Sequence, residues 1–110
     1  MRKGTLVKIN RPDVRANRSL TTEERNAWYE NFRAEVQAGR QSPIDSAGEP
    51  RLAPQSTQID LDPAAVYPVV RGRAAYHAPW GRSYRNQVVI LDPKTGFEWF
   101  VWRFHVEAVK

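Results

Sequence analysis

The sequence predicts a mainly β fold: one small barrel, one inserted amphipathic helix and one long proline-rich loop. Three observations carry this. Both chain ends, 1–12 and 66–110, hold short β-rich runs bounded by Gly and Pro. The stretch 20–39 has helical periodicity. The stretch 40–65 has neither pattern and contains four prolines. At 110 residues a single domain over 1–110 is the expectation.

The first strand is expected in "KGTLVKINRP", where Thr5, Val7 and Ile9 alternate with Leu6, Lys8 and Asn10. Gly4 and Pro12 bound it. The polar, basic stretch from Asp13 to Ser19 reads as a loop. The helix is expected in "LTTEERNAWYENFRAEVQAGR". Thr21 and Glu24 have the spacing of a capping box, in which each side chain satisfies the other residue's amide. Glu23 and Glu24 suit the positive end of the helix dipole. Trp28, Phe32 and Val36 form one narrow apolar stripe beside Tyr29. Gly39 stands where a left-handed residue ends a helix.

From Gln41 to Ala65 the chain has few large apolar residues. Such a segment buries too little to offset its ordering entropy, so an extended or mobile linker is expected. Order resumes at Val66. Pro68 cannot donate a ladder hydrogen bond, which favours an edge or a strand start. The strongest signal is "QVVILDPKTGFEWFVW". Two β-rich runs flank Asp92-Pro93-Lys94-Thr95-Gly96, where Asp92 can bond the turn backbone and Gly96 can take a left-handed position. "HVEAVK" reads as a short turn and a last strand.

The strand over 97–104 is apolar on both faces. Phe97, Trp99 and Val101 point one way; Phe100, Trp102 and Phe104 point the other. One face fills the core. The other needs cover, because clustered large side chains make an exposed apolar patch. The helix stripe is the expected cover, at roughly 1.5–3 kcal/mol per buried aromatic. The competing reading leaves those rings open to a partner.

The order of elements resembles the SH3-like barrels: a first strand, a long first loop, a hairpin with a tight distal turn, then a short 3₁₀-like turn into a last strand. "KGTLVKIN" and "QVVILDPKTGFEWFVWRFHVEAVK" carry the resemblance, about a third of the chain. Within those barrels the chain looks most like the small basic accessory subunits of cyanobacterial and chloroplast electron-transfer complexes. Those also open on a Lys/Arg-Gly-x-x-Val-Lys/Arg strand and end on an "x-x-V/L-E-x-V" tail. This resemblance implies a photosynthetic electron-transfer setting, cytoplasmic or stromal, peripheral to a membrane complex. The excursion of more than 50 residues departs from those compact subunits. The acidic-aromatic groove of signalling SH3 domains is also missing.

Composition narrows the functional classes. The absence of cysteine excludes disulfides and thiolate chemistry. No apolar run approaches the ~20 residues of a membrane span. The start "MRKGTLVKINRPD" shows no secretory h-region, so a soluble protein is expected. Charge is segregated: residues 1–20 carry +5, residues 21–64 carry −4 and residues 65–110 carry +4. Basic ends that fold together offer a surface to an acidic partner.

No nucleotide-binding, metalloprotease or serine-hydrolase motif occurs. No catalytic residue, metal site or cofactor is assigned, and the protein is read as not an enzyme. His77 and His105 have no cysteine to complete a metal set. His105 reads as a rim or packing residue. Asp60 and Asp62 read as a solvated acidic loop. The functional candidate is "VRGRAAYHAPWGRSYR", expected as a long irregular loop near a barrel edge. It interleaves Arg71, Arg73, Arg82 and Arg85 with Tyr76, His77, Trp80 and Tyr84. Guanidinium groups pair with carboxylates or phosphates, and rings fill hot-spot pockets or stack on bases. The expectation is a protein-binding accessory or regulatory subunit docking on a larger or acidic protein. The alternative is a small barrel that binds RNA or single-stranded DNA.

Overall fold

Seven antiparallel strands and one helix form in a computed structural model that describes residues 1–109. The elements are β1 (Leu6–Ile9), β2 (Arg15–Ser19), α1 (Thr22–Gln37), β3 (Ser56–Asp60), β4 (Val66–His77), β5 (Ser83–Leu91), β6 (Glu98–Trp102) and β7 (Val106–Ala108), with a 3₁₀ turn at Arg103–His105. They fall into two compact units. One is the sheet, residues 1–19 and 56–110. The other, residues 20–55, contains α1.

In the sheet unit the strands lie in the order β3-β2-β6-β5-β4-β1-β7. The first and last strands pair: Val7 faces Ala108 and Ile9 faces Val106. The ring is nevertheless not closed, because β3 and β7 remain edges. The inward residues of the strands form one core. Val7, Ile9, Val69, Val88, Ile90, Trp99 and Val101 are all within it. Val14 and Leu61 extend it beyond the ends of β2 and β3, tied by Leu61 N donating to Val14 O.

Two strands occupy stretches that polarity had marked as irregular. Residues 15–19, read as loop, form β2 between β3 and β6. Its inward positions are Ala16 and Arg18. Arg18 is 9% exposed and lies 3.8 Å over the Phe97 ring and 4.8 Å from Trp99. A guanidinium that buries its stem against rings replaces the expected apolar residue. Residues 56–60, within the expected linker, form β3 along β2, from Ser19 facing Ser56 to Arg15 facing Asp60.

Pro68 lies near the start of β4, an interior strand rather than an edge. The neighbouring Val69 makes both ladder bonds to the first strand's side: its N–H donates to Thr5 O and its O accepts from Gly4 N. Successive residues point their polar groups to opposite sides, so this ladder does not need Pro68 N–H. The distal turn forms as its residues dictate. Asp92 accepts from Lys94 N and Thr95 Oγ1, Gly96 N donates to Asp92 O, and Gly96 takes φ 77°.

In the helical unit, the capping box is complete: Glu24 N donates to Thr21 Oγ1 and Thr21 N to Glu24 Oε1. The Trp28 and Phe32 rings stack at 4.9 Å, and Tyr29 stands edge-on to Trp28. Tyr29 Oη accepts from Ala53 N. Asp45 organises a turn by accepting from Ala47 N and Glu49 N, closed by a bridge between Ile44 and Pro50. Local hydrogen bonding thus shapes a stretch with few large apolar residues.

Candidate functional site

The basic-aromatic stretch is a hairpin rather than a loop. Arg71, Arg73, Tyr76 and His77 lie on β4; Tyr84 and Arg85 lie on β5; Trp80 and Arg82 lie in the connection. Register shifts between Val69 and Tyr76 break the alternation that would have revealed the strand. Asn86, at φ 59°, adds an irregularity in β5. The connection is tight: Ala78 N donates to Arg82 O, Gly81 N donates to Ala78 O, and Gly81 has φ 92°. Trp80 stands at its tip, 63% exposed.

The hairpin lays its rings on the outward face of β6. Tyr76 lies 5.1 Å from Phe100, and Tyr84 lies 6.2 Å from Trp102 at right angles. Trp80 meets Tyr84 edge-on at 6.4 Å, and Trp102 stacks on Phe104 at 5.7 Å. The second apolar face of β6 therefore carries a continuous row, Trp80–Tyr84–Trp102–Phe104. Both ends of the row are open, since Phe104 is also 63% exposed.

Beside the row is a cavity of about 210 Å³, lined by Tyr76, Trp80, Tyr84 and Trp102 together with Asn17, Gln58 and Gln87. The three amides arrive from β2, β3 and β5. Sequence reading missed them, because nothing in their own stretches distinguishes them from solvated polar residues. Cross-strand pairing brings them together: Asn17 faces Gln58 on one side and Phe100 on the other, while Gln87 faces Trp102. Gln58 Nε2 donates to Asn17 Oδ1 at 2.7 Å. Gln87 is 3% exposed and Tyr76 is 4% exposed. The Tyr76 hydroxyl is buried with no hydrogen-bond partner among the described residues.

Two of the arginines lie against this face. The Arg71 guanidinium lies 5.6 Å over the Phe100 ring, and that of Arg82 lies 5.2 Å over Tyr84. Among the described residues, Arg71, Arg73, Arg82 and Arg85 are all exposed and none has an ion-pair partner. No carboxylate lines the cavity. The sheet unit has thirteen Lys/Arg against six Asp/Glu, a net +7, whereas the helical unit has four against six, a net −2.

His77 stands apart from the cavity and shares a 2.8 Å hydrogen bond with Ser83, its cross-strand partner. His105, in the 3₁₀ turn, is half-buried, and its buried Nδ1 has no hydrogen-bond partner among the described residues. Burial, and secondarily the Arg11 charge, hold its pKa below the ordinary value. Asp60 pairs with Arg15 at 3.1 Å and Asp62 accepts from Ala64 N. No cluster of three or more metal-ligating side chains occurs among the described residues. Among the described residues, no helix is long and apolar enough to cross a membrane. No protein-family model, curated protein or solved structure matches the chain.

Proposed function

We propose that the protein is a non-catalytic binding module, an accessory or regulatory subunit that docks an acidic partner through the rings and arginines of the β4–β5 hairpin. One observation carries this reading: the open-ended ring row lies beside the exposed guanidiniums of Arg71 and Arg82, which pair with no carboxylate among the described residues. Rings at such a surface supply desolvated contact area, and bidentate guanidiniums supply orientation toward carboxylate or phosphate.

The SH3-like barrel belongs to the same proposal. It is supported by the β1–β7 pairing, the tight Asp92–Gly96 turn and the 3₁₀ turn that leads into β7. The photosynthetic electron-transfer setting is supported only by the likeness of the two chain ends to those accessory subunits. An acidic protein surface and a nucleic acid would both use this arginine chemistry. The cavity's neutral amides favour the second.

The test is retention on two immobilised polyanions, polyglutamate and single-stranded nucleic acid, eluted by salt. Arg82→Glu with Arg85→Glu should elute from the retaining matrix at clearly lower salt, with an unchanged melting temperature, since exposed charge attraction is screened over about 10 Å at 0.1 M. Unchanged elution from both matrices would show that the face is a solvated hairpin and nothing more.

A further inference from the structure

We infer that the cavity beside the ring row is a seat for one unstacked base of a single-stranded nucleic acid, with neighbouring bases on the exposed rings. This rests on the reading of the hairpin as an anion-binding face, and it names the ligand.

The cavity's chemistry selects among ligands. Four aromatic rings alone would suit a quaternary ammonium, because ring faces attract cations. Here that ligand is disfavoured. No carboxylate lines the cavity, and Arg71 and Arg82 already lie over Phe100 and Tyr84. A cation entering would meet the local field of a unit with net charge +7.

A nucleobase matches instead. It is flat and neutral, with donors and acceptors around its edge. The cavity, about 210 Å³, is smaller than the roughly 300–1,000 Å³ of pockets for drug-sized ligands. Its right-angled wall, Tyr84 against Trp102, offers one ring to stack on and another to meet a base edge. Asn17 and Gln58 use one amide atom each on each other, leaving an amide donor and an amide acceptor with no protein partner among the described residues. The buried Tyr76 hydroxyl is also without a partner, and an orphaned polar group of this kind marks a site completed by something else.

The geometry outside the cavity continues the match. Consecutive contacts lead from Trp80 through Tyr84 and Trp102 to Phe104, and both terminal rings are 63% exposed. Successive bases on successive rings, with phosphates facing arginines, is the usual arrangement of single-strand recognition. An acidic peptide would use the arginines but would leave the amides and the cavity unfilled. A duplex would present phosphates while keeping its bases stacked and out of reach.

The probe is a fluorescein-labelled DNA strand of about ten nucleotides, within the usual site size. It is compared by anisotropy with an abasic strand of equal length, with duplex and with polyglutamate, using the full chain. The intact strand should bind at least roughly 5-fold tighter than the abasic one, the lower end of the range for a single stacked base, because the abasic strand loses every base contact. Trp102→Leu should weaken the intact strand by a similar factor and leave the abasic strand unchanged. Equal affinity of wild-type protein for intact and abasic strands overturns the base seat, whether or not any variant folds. Equal or tighter binding of duplex or polyglutamate also overturns it, and leaves the anion-binding face standing. Failure to bind any of these polyanions overturns both readings together.

Discussion

The Tyr76 ring packs 5.1 Å from the Phe100 ring although β5 lies between their strands. The side chain from β4 thus reaches over an intervening strand. Val89 of β5, the cross-strand partner of Phe100, shares that face and is 1% exposed. The outer face of the hairpin behaves as a second, smaller packed layer. Apart from Val89, its members are rings and amides.

Tyr76 offers a direct check on that layer. Its ring is packed while its hydroxyl has no partner among the described residues. Tyr76→Phe should leave stability unchanged or slightly raised, because it removes a buried polar atom that makes no bond. Tyr76→Ala should cost about 3–5 kcal/mol, as for other buried aromatic truncations. Urea denaturation of the pair measures the difference. A large loss in Tyr76→Phe would mean the hydroxyl is bonded in solution.

The distal turn depends on two residues of different kinds. Asp92 holds Lys94 N and Thr95 Oγ1, so Asp92→Ala should cost about 1–3 kcal/mol from lost hydrogen bonds. Gly96 sits at φ 77°, where a Cβ is strained by roughly 1–2 kcal/mol. Apart from its own chain neighbours, no described atom lies within 4 Å of the added Cβ, so Gly96→Ala should pay conformational strain alone. Gly96→Asn should recover part of it, since Asn tolerates this region. Thermal melts of the three variants check the order.

The helix is anchored at its first turn by reciprocal bonds between Thr21 and Glu24. Thr21→Ala should cost about 0.5–2 kcal/mol. Amide exchange should accelerate in 22–26 while the amides of β5 and β6 keep their protection. Uniform acceleration throughout would mean that the two units unfold as one.

His105 makes stability depend on pH. Its pKa is lowered in the fold by burial first and by the Arg11 charge second, from the ordinary value of 6.5. Between the lowered and ordinary values the unfolded chain binds more protons than the folded one, so unfolding free energy rises with pH. The contribution is fully present above about 6.5 and is lost as pH falls through the folded value. His105→Gln should flatten this part of the profile. Denaturation midpoints for both proteins between pH 5 and pH 8, the range in which histidine changes charge, check it.

The sequence by itself determined the features that depend on a few neighbouring residues. The capping box, the Asp92–Gly96 turn, the alternation of Trp99 and Val101 against Phe100 and Trp102, and the 3₁₀ turn before the last strand all form from local spacing. Tertiary structure decided what local spacing could not. Arg18 faces inward because Phe97 and Trp99 offer a ring surface to its guanidinium, so β2 is a strand despite its polarity. Register shifts along β4 hide the strand that carries Arg71 and Tyr76. The ring residues of the site were visible as composition. The amides of Asn17, Gln58 and Gln87 were not, because they lie far apart in sequence and meet only when β2, β3 and β5 are brought into one sheet. Hydrogen-bonded pairing between strands acts across any sequence distance, and a one-dimensional pattern does not record it.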